Sequence, residues 1–166
     1  MMGTLVKRSD KVAFYGVKNG ENVTYKRMRG FTDMSISKNP KEYTRKYIDE
    51  QFEQSDVVGF SPSISFTFDS FLDDDVQNDI LNISENELLG QEAVREIIIV
   101  DLKRQKDEGF YAVKRTFSVI VESEGNSDEA YQMSGTFKVK GEKEFGTATS
   151  GDDWESLTFT KDADKI

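Results

Sequence analysis

Few side chains in this sequence could do covalent chemistry, and those that could are carboxylates. The 166 residues contain no histidine and no cysteine. That removes the commonest general base, Ser-His and Cys-His nucleophile pairs and nearly every transition-metal site, and it excludes a disulfide framework. What survives is a carboxylate pair of glycosidase type or a Ser-Lys arrangement, and no local pattern argues for either. Asp73-Asp74-Asp75 offers the hard oxygen ligands that calcium and magnesium take, but it lacks the spaced acids, the glycine and the distal glutamate of an EF-hand loop. Capping a helix is the better reading. Asp152-Asp153 beside Trp154, the only tryptophan, could form a sugar platform with two carboxylates. The plainer reading is a turn before the last strand, with Trp154 closing the edge of a sandwich. Gly141, Gly146 and Gly151 are too far apart to cradle a phosphate, and no Gly-Lys-Ser/Thr follows. No catalytic, cofactor or metal residue is assigned, and no small-molecule substrate.

Charge points elsewhere. Lys26, Arg27 and Arg29, near Tyr25 and Phe31, have the basic-aromatic look of a nucleic-acid patch. The whole chain, however, carries a net charge of −9 with a pI near 4.7, so its average surface repels phosphate backbones. The more economical reading pairs these cations with carboxylates of another copy, for which Asp49, Glu50, Glu53 and Asp56 are natural counterparts. The opening MMGTLVKRSD has no apolar core of the kind that leads a secreted chain. The longest apolar run, Ile97 to Val100, is far too short to span a bilayer. A soluble protein made in a cytosol-like compartment is expected, with no membrane partner.

The elements that would carry these residues are mainly strands. In Gly59–Phe71, Ile64, Phe66 and Phe68 alternate with Ser63, Ser65, Thr67 and Asp69, which is a strand with one dry and one wet face. The same period recurs at Val12 and Phe14, at Phe117, Val119 and Val121, and at Met133, Phe137 and Val139. Strands are expected near 11–16 and 22–28, joined through Asn19-Gly20 as a type I′ hairpin. Others are expected at 31–37 (with Met34 and Ile36 on one face), 94–104, 109–123, 131–141, 144–148 and 155–160. Asp107-Glu108-Gly109 reads as a tight turn and Glu124–Asp128 as a longer one. Val76, Ile80 and Ile83 share a face, so a short helix is expected over about 74–87, opened by the aspartates and stopped by Gly90. The length is that of one domain, 1–166, with a core large enough to stand without staples and a frayed tail at 161–166.

One segment resists this reading. Across 41–58, Ile48 and Phe52 suit a helical i, i+4 pair as well as one face of a strand, and Asn39, Pro40 and Glu42 would make a passable helix start. The tyrosines and the β-branched Thr44 and Ile48 favour a long exposed strand or arm over about 38–59. Tyr43, Tyr47, Ile48 and Phe52, with Arg45 among them, have no evident partner within the chain, and exposed apolar side chains of this kind mark an interface. The alternative is an arm folded back over its own sheet.

Taken in order, the opening hairpin, the strand MRGFTDMSIS, the arm EYTRKYIDEQFEQSDVVGFSPSISFTFD, the acidic helix, Gln91–Arg95 leading into a strand, and the closing GTATSGDDWESLTF resemble the major tail (tail tube) protein of long-tailed bacteriophages and prophages of Gram-positive hosts. Residues 43–69 are the most specific part, and the likeness spans about 10–160. It implies a mainly β fold, a β-sandwich or partial barrel with one short flanking helix and a long arm or hairpin. It further implies hexameric rings stacked into a virion tube around a tape-measure protein, capped by a tail terminator and a distal tail protein, and assembled in the host cytoplasm. In that family an arm reaches the neighbouring ring, and double-stranded DNA passes through the tube on ejection without specific binding. Here 38–59 match the arm, Tyr43, Arg45, Tyr47, Ile48 and Phe52 would be its subunit contacts, and Asp49, Glu50, Glu53 and Asp56 would face an acidic lumen. The expectation is a structural, non-enzymatic, self-assembling subunit. A ring-forming terminator or distal tail protein is the neighbouring alternative, and a carbohydrate-binding β-sandwich the one from another class.

Overall fold

Strands with one dry face can close on themselves, and strands dry on both faces must be shared between two cores. Both occur here. The computed structural model describes residues 3–125 and 128–163. The middle of the expected turn at 124–128 and the end of the expected tail lie outside them. The elements are β1 (Lys11–Asn19), β2 (Asn22–Arg27), β3 (Phe31–Ser37), β4 (Pro40–Arg45), β5 (Gln54–Phe60), β6 (Ser63–Asp69), α1 (Asp75–Glu85), β7 (Val94–Lys106), β8 (Gly109–Glu124), β9 (Gln132–Val139), β10 (Glu144–Thr149) and β11 (Ser156–Lys161).

Every pairing is antiparallel. β8 pairs with β10 over Phe110–Lys114 and with β9 from Phe117 onward, so one edge of this long strand changes partner near Arg115. The circuit β8-β10-β11-β2-β1-β7 returns to β8 and closes a six-stranded barrel, while β9, β6 and β3 extend the sheet beyond it. Of the sandwich and the partial barrel expected, the barrel is realised. Its thinnest seam is β11–β2, where only Ser156 and Leu157 pair with Lys26 and Tyr25. The seam is reinforced by the Arg27 N–H donating to the Glu155 carbonyl at 3.0 Å and by an ion pair between Arg29 and Glu155.

Val12, Phe14, Ile98, Val100, Ala112, Ala148 and Leu157 fill the barrel. On the other face of the same wall, Tyr15, Ile97, Phe117 and Val119 join Ile64, Phe66, Phe68, Met133 and Phe137 in a second core, closed by Val76, Ile80 and Ile83 of α1. The run Ile97–Val100 is apolar because its residues alternate between the two cores. Phe66 stacks on Phe137 with ring centres 4.3 Å apart, and each such buried ring or branched chain contributes roughly 1.5–3 kcal/mol of transfer free energy.

Two polar devices fix the helix on the sheet. Asp74 caps α1 by accepting from the Gln77 N–H at 3.0 Å. Gln77, itself buried, accepts from the Phe71 N–H and donates to the Arg29 and Asp69 carbonyls. Deeper in, Asp79 accepts from the Tyr15 hydroxyl at 2.5 Å and from Arg95 Nε at 2.8 Å, and Arg95 also donates to the Glu92 and Val94 carbonyls. Burial, with the Asp79 carboxylate adding to it, pushes the Tyr15 hydroxyl well above its ordinary pKa.

The first hairpin forms where expected, with one difference in its turn. Asn19 pairs with Asn22, so Gly20 and Glu21 are the central residues, and only Gly20 takes a positive φ, of 68°. That is the pattern of a type II′ turn rather than the expected I′, because the paired register runs one residue further than the Asn-Gly signal implies.

Replacing Asp79 by Ala would leave the Arg95 guanidinium, whose side chain is 7% exposed, without its counter-charge. A loss of about 3–5 kcal/mol in urea-unfolding free energy is expected. A loss under about 1 kcal/mol, the worth of an exposed pair, would show that this cluster does not anchor the helix.

Candidate functional site

The segment with two readings is a β-hairpin. β4 and β5 pair from Pro40↔Phe60 to Arg45↔Gln54 and form a two-stranded sheet separate from the main one. Thr44 and Ser55 exchange a hydroxyl hydrogen bond of 2.9 Å across the ladder, and residues 46–53 make the tip. The i, i+4 spacing of Ile48 and Phe52 arises in this tip and not in a helix. A two-stranded ribbon standing alone is marginal in water, and among the described residues no other element packs substantially on this one. The alternative of an arm folded over its own sheet is not what the structure has.

Arg45 organises the ribbon. Its Nε donates to the Tyr47 hydroxyl at 2.9 Å, its guanidinium pairs with Asp56 at 2.7 Å, and its Cζ lies 5.1 Å from the ring centre of Tyr43 and 5.7 Å from that of Tyr47. Two of the aromatic residues singled out in the sequence are therefore engaged within the arm. Ile48 is fully exposed and Phe52 76% exposed. Val57, Val58 and Phe60, which the alternation did not single out, are also more than half exposed. The only signal for them was that three apolar residues end a strand that begins polar.

The charged candidates divide in the same way. Asp56 is taken by Arg45, and Glu50 accepts from Gln54 at 2.6 Å. Asp49, Glu50 and Glu53 stand exposed at the tip with no ion pair among the described residues. The structure does not bring the basic strand to them. Lys26 pairs with Asp75 in the first turn of α1, Arg29 pairs with Glu155, and the Arg27 backbone bonds Glu155 across the barrel seam.

Three of the five carboxylates weighed as chemistry, Asp74, Asp75 and Asp152, have structural partners. Asp74 is the helix cap and Asp75 meets Lys26. Asp152 accepts from the Ser156 hydroxyl and N–H at 2.6 and 3.0 Å and from the Ser150 hydroxyl at 2.9 Å, forming the turn between β10 and β11. Trp154, in the same turn with φ of 64°, packs edge-on against Phe110 and tilted against Phe14 in the barrel, and its backbone N–H donates to Ser150 Oγ. Outside the barrel, Lys114 bridges Glu144 at 3.0 Å and Glu96 at 3.2 Å. Burial alone would depress this lysine, but the two carboxylates outweigh it and its pKa is raised. Among the described residues no cluster of acids is arranged to hold a metal ion, and no helix is long and apolar enough to cross a membrane.

No protein-family model matches this sequence, and no curated protein does. A solved structure does match in fold. A chain of the virion of a native gene transfer agent particle superposes with a TM-score of 0.60, over 85% of this chain and 98% of its own, with 15% of residues identical. At that identity the likeness is one of fold.

Two measurements follow. Arg45→Ala should speed amide exchange across β4 and β5 by about tenfold or more, while the thermal midpoint of the whole protein moves by less than about 2 °C. The Ser156 hydroxyl and N–H, with Ser150, hold the Asp152 carboxyl down at about 2, against 3.8 ordinarily. A depressed carboxyl contributes stability that is complete above its unfolded value and disappears as pH falls through the folded one. The turn should therefore loosen only between about pH 4 and pH 2. A carboxyl carbon titration by NMR should place Asp152 near 2, and Ser156→Ala should raise it.

Proposed function

We propose that this chain is a structural virion protein without enzymatic activity, a tail tube subunit that assembles with copies of itself into stacked hexameric rings. The observation that carries this is the isolated hairpin, a two-stranded ribbon held away from the main sheet with Ile48, Phe52, Val57 and Val58 in solvent. An isolated ribbon with an apolar tip is unstable and aggregation-prone unless another chain covers it. Such a surface belongs to a protein whose working state is an assembly.

The fold shared with a chain of a gene transfer agent virion supports the reading, as does the sequence likeness to tail tube proteins over residues 10–160. A chain with one arm and a different surface to receive it makes heterologous contacts, which close into rings or propagate into filaments. A tube of such subunits would run around a tape-measure protein between a terminator and a distal tail protein, in a virion assembled in the bacterial cytoplasm. With −9 per copy, a lumen bearing part of that charge, for which Asp49, Glu50, Glu53 and Asp56 are candidates, would repel a duplex carrying about one negative charge per ~1.7 Å of axis. DNA would slide through such a tube rather than adhere to it. The whole chain, 1–166, would act as one domain.

The test is electron microscopy and sedimentation of the protein, alone at high concentration and co-expressed with its tape-measure partner. Replacing residues 46–53 by a two-residue Asn-Gly turn between Arg45 and Gln54 should leave a folded monomer that forms no tubes. Closed single rings from the intact protein would indicate a terminator or distal tail protein instead. A monomer under both conditions that binds glycans would favour a carbohydrate-binding module.

A further inference from the structure

The face of the sheet that carries the second core is only partly covered by α1. Beyond the helix it opens into a groove floored by Ile64, Ile97, Ile99, Val113 and Phe117, with Ile36 on its β3 side. Ile36 shares a face with buried Ile64, with which it pairs, yet is 52% exposed because it overlooks this opening. Five cations, Lys11, Lys38, Arg104, Arg115 and Lys143, stand around the groove with two carboxylates, Asp101 and Glu142.

Among the described residues none of the five is ion-paired. Arg104 lies over the Tyr111 ring with its Cζ 3.9 Å from the centre, and Arg115 Nε donates to the Gly141 carbonyl at 2.7 Å. An excess of cations around an apolar floor is unusual in a chain of net charge −9, and among the described residues only Asp101 and Glu142 stand beside it to offset it.

The hairpin tip is its complement. Ile48 and Phe52 are bare apolar side chains, and Asp49, Glu50 and Glu53 beside them make no ion pair among the described residues. The tip does not reach its own groove. Phe60 and Pro62 at the base of the hairpin line that groove, and the six paired residues of β4 carry the tip about 20 Å away at ~3.3 Å per residue.

We propose that this groove is the receptor for the hairpin tip of a second copy of the chain. Ile48 and Phe52 cover the Ile99–Val113 floor, and the three tip acids lie among Lys38, Arg115 and Lys143. The inference rests on the self-assembly reading above and adds the surface that takes the arm. It also moves the arm's basic partners from Lys26, Arg27 and Arg29 to the groove. Each copy offers one tip and one groove on different parts of its surface, so the contact is heterologous and leaves a free end at every step until it closes. Because the charges lie at the rim, assembly should weaken as salt rises and the Debye length contracts to about 3 Å near 1 M.

The test is a charge exchange at exposed positions, with each variant first shown to be folded by circular dichroism and an unchanged thermal midpoint. Glu50→Lys with Glu53→Lys, and separately Lys38→Glu with Lys143→Glu, should each raise the concentration needed for assembly at least tenfold. The quadruple variant should assemble nearly as the natural protein does. Groove variants that assemble normally, or a quadruple variant that is not rescued, would overturn the groove assignment while leaving self-assembly intact. A natural protein that forms no assembly, even beside its tape-measure partner, would remove both readings.

Discussion

A strand buried on both faces has no side to turn to water, so its sequence must be apolar at consecutive positions. Its neighbours must then supply two separate cores. β7 meets this condition at Ile97–Val100, and β1 does so where Phe14 and Tyr15 point to opposite sides. β8 extends the wall by serving both the barrel and the sheet beyond it, its edge away from β7 passing from β10 to β9 near Arg115. The closed barrel, the extended sheet and the site where α1 docks all depend on this wall. A slip of one residue in its register would exchange the contents of the two cores.

The polar residues buried in the fold follow from the same wall. Tyr15 sits on the helix-facing side, and its hydroxyl is cut off from water, so it needs a partner from above. Asp79 of α1 provides one and is in turn balanced by Arg95 at the start of β7. Such a buried group is costly to break but adds little net stability over apolar packing. Its effect here is positional, since it admits one seat for the helix. With α1 seated there, the remainder of the sheet face is left open as the cation-rimmed groove.

The hairpin stands outside this economy. The main sheet has spent its apolar residues on two cores, and the arm keeps its own in solvent, braced by its own ladder and by Arg45 between Tyr43, Tyr47 and Asp56. The monomer thus carries two complementary imbalances, an acidic apolar tip and a basic apolar groove, at places that a single chain does not bring together. Under the proposed self-assembly, one contact between identical chains would resolve both.

Local chemistry was legible in the sequence wherever it depended on neighbours along the chain. Alternation at Ile64, Phe66 and Phe68 determined a strand and its dry face, the Asp74 cap with Val76, Ile80 and Ile83 determined the helix, and the Gly20 and Asp107-Glu108 turns determined two hairpins. The missing histidines and cysteines limited the chemistry by composition alone. At Ile48 and Phe52 the spacing fitted helix and hairpin equally, and pairing between Pro40–Arg45 and Gln54–Phe60 decided it. Within the chain, the pairing of Lys26 with Asp75 and of Arg29 with Glu155 was not legible, because ion pairs depend on distance in space and these residues are 49 and 126 positions apart. The groove was invisible for the same reason. Lys11, Lys38, Arg104, Arg115 and Lys143 share no motif, and only the curl of the sheet brings them to one rim. Periodicity and turn chemistry are encoded within a few residues, whereas barrel closure and the placement of distant charges arise from long-range pairing that only the folded chain can express.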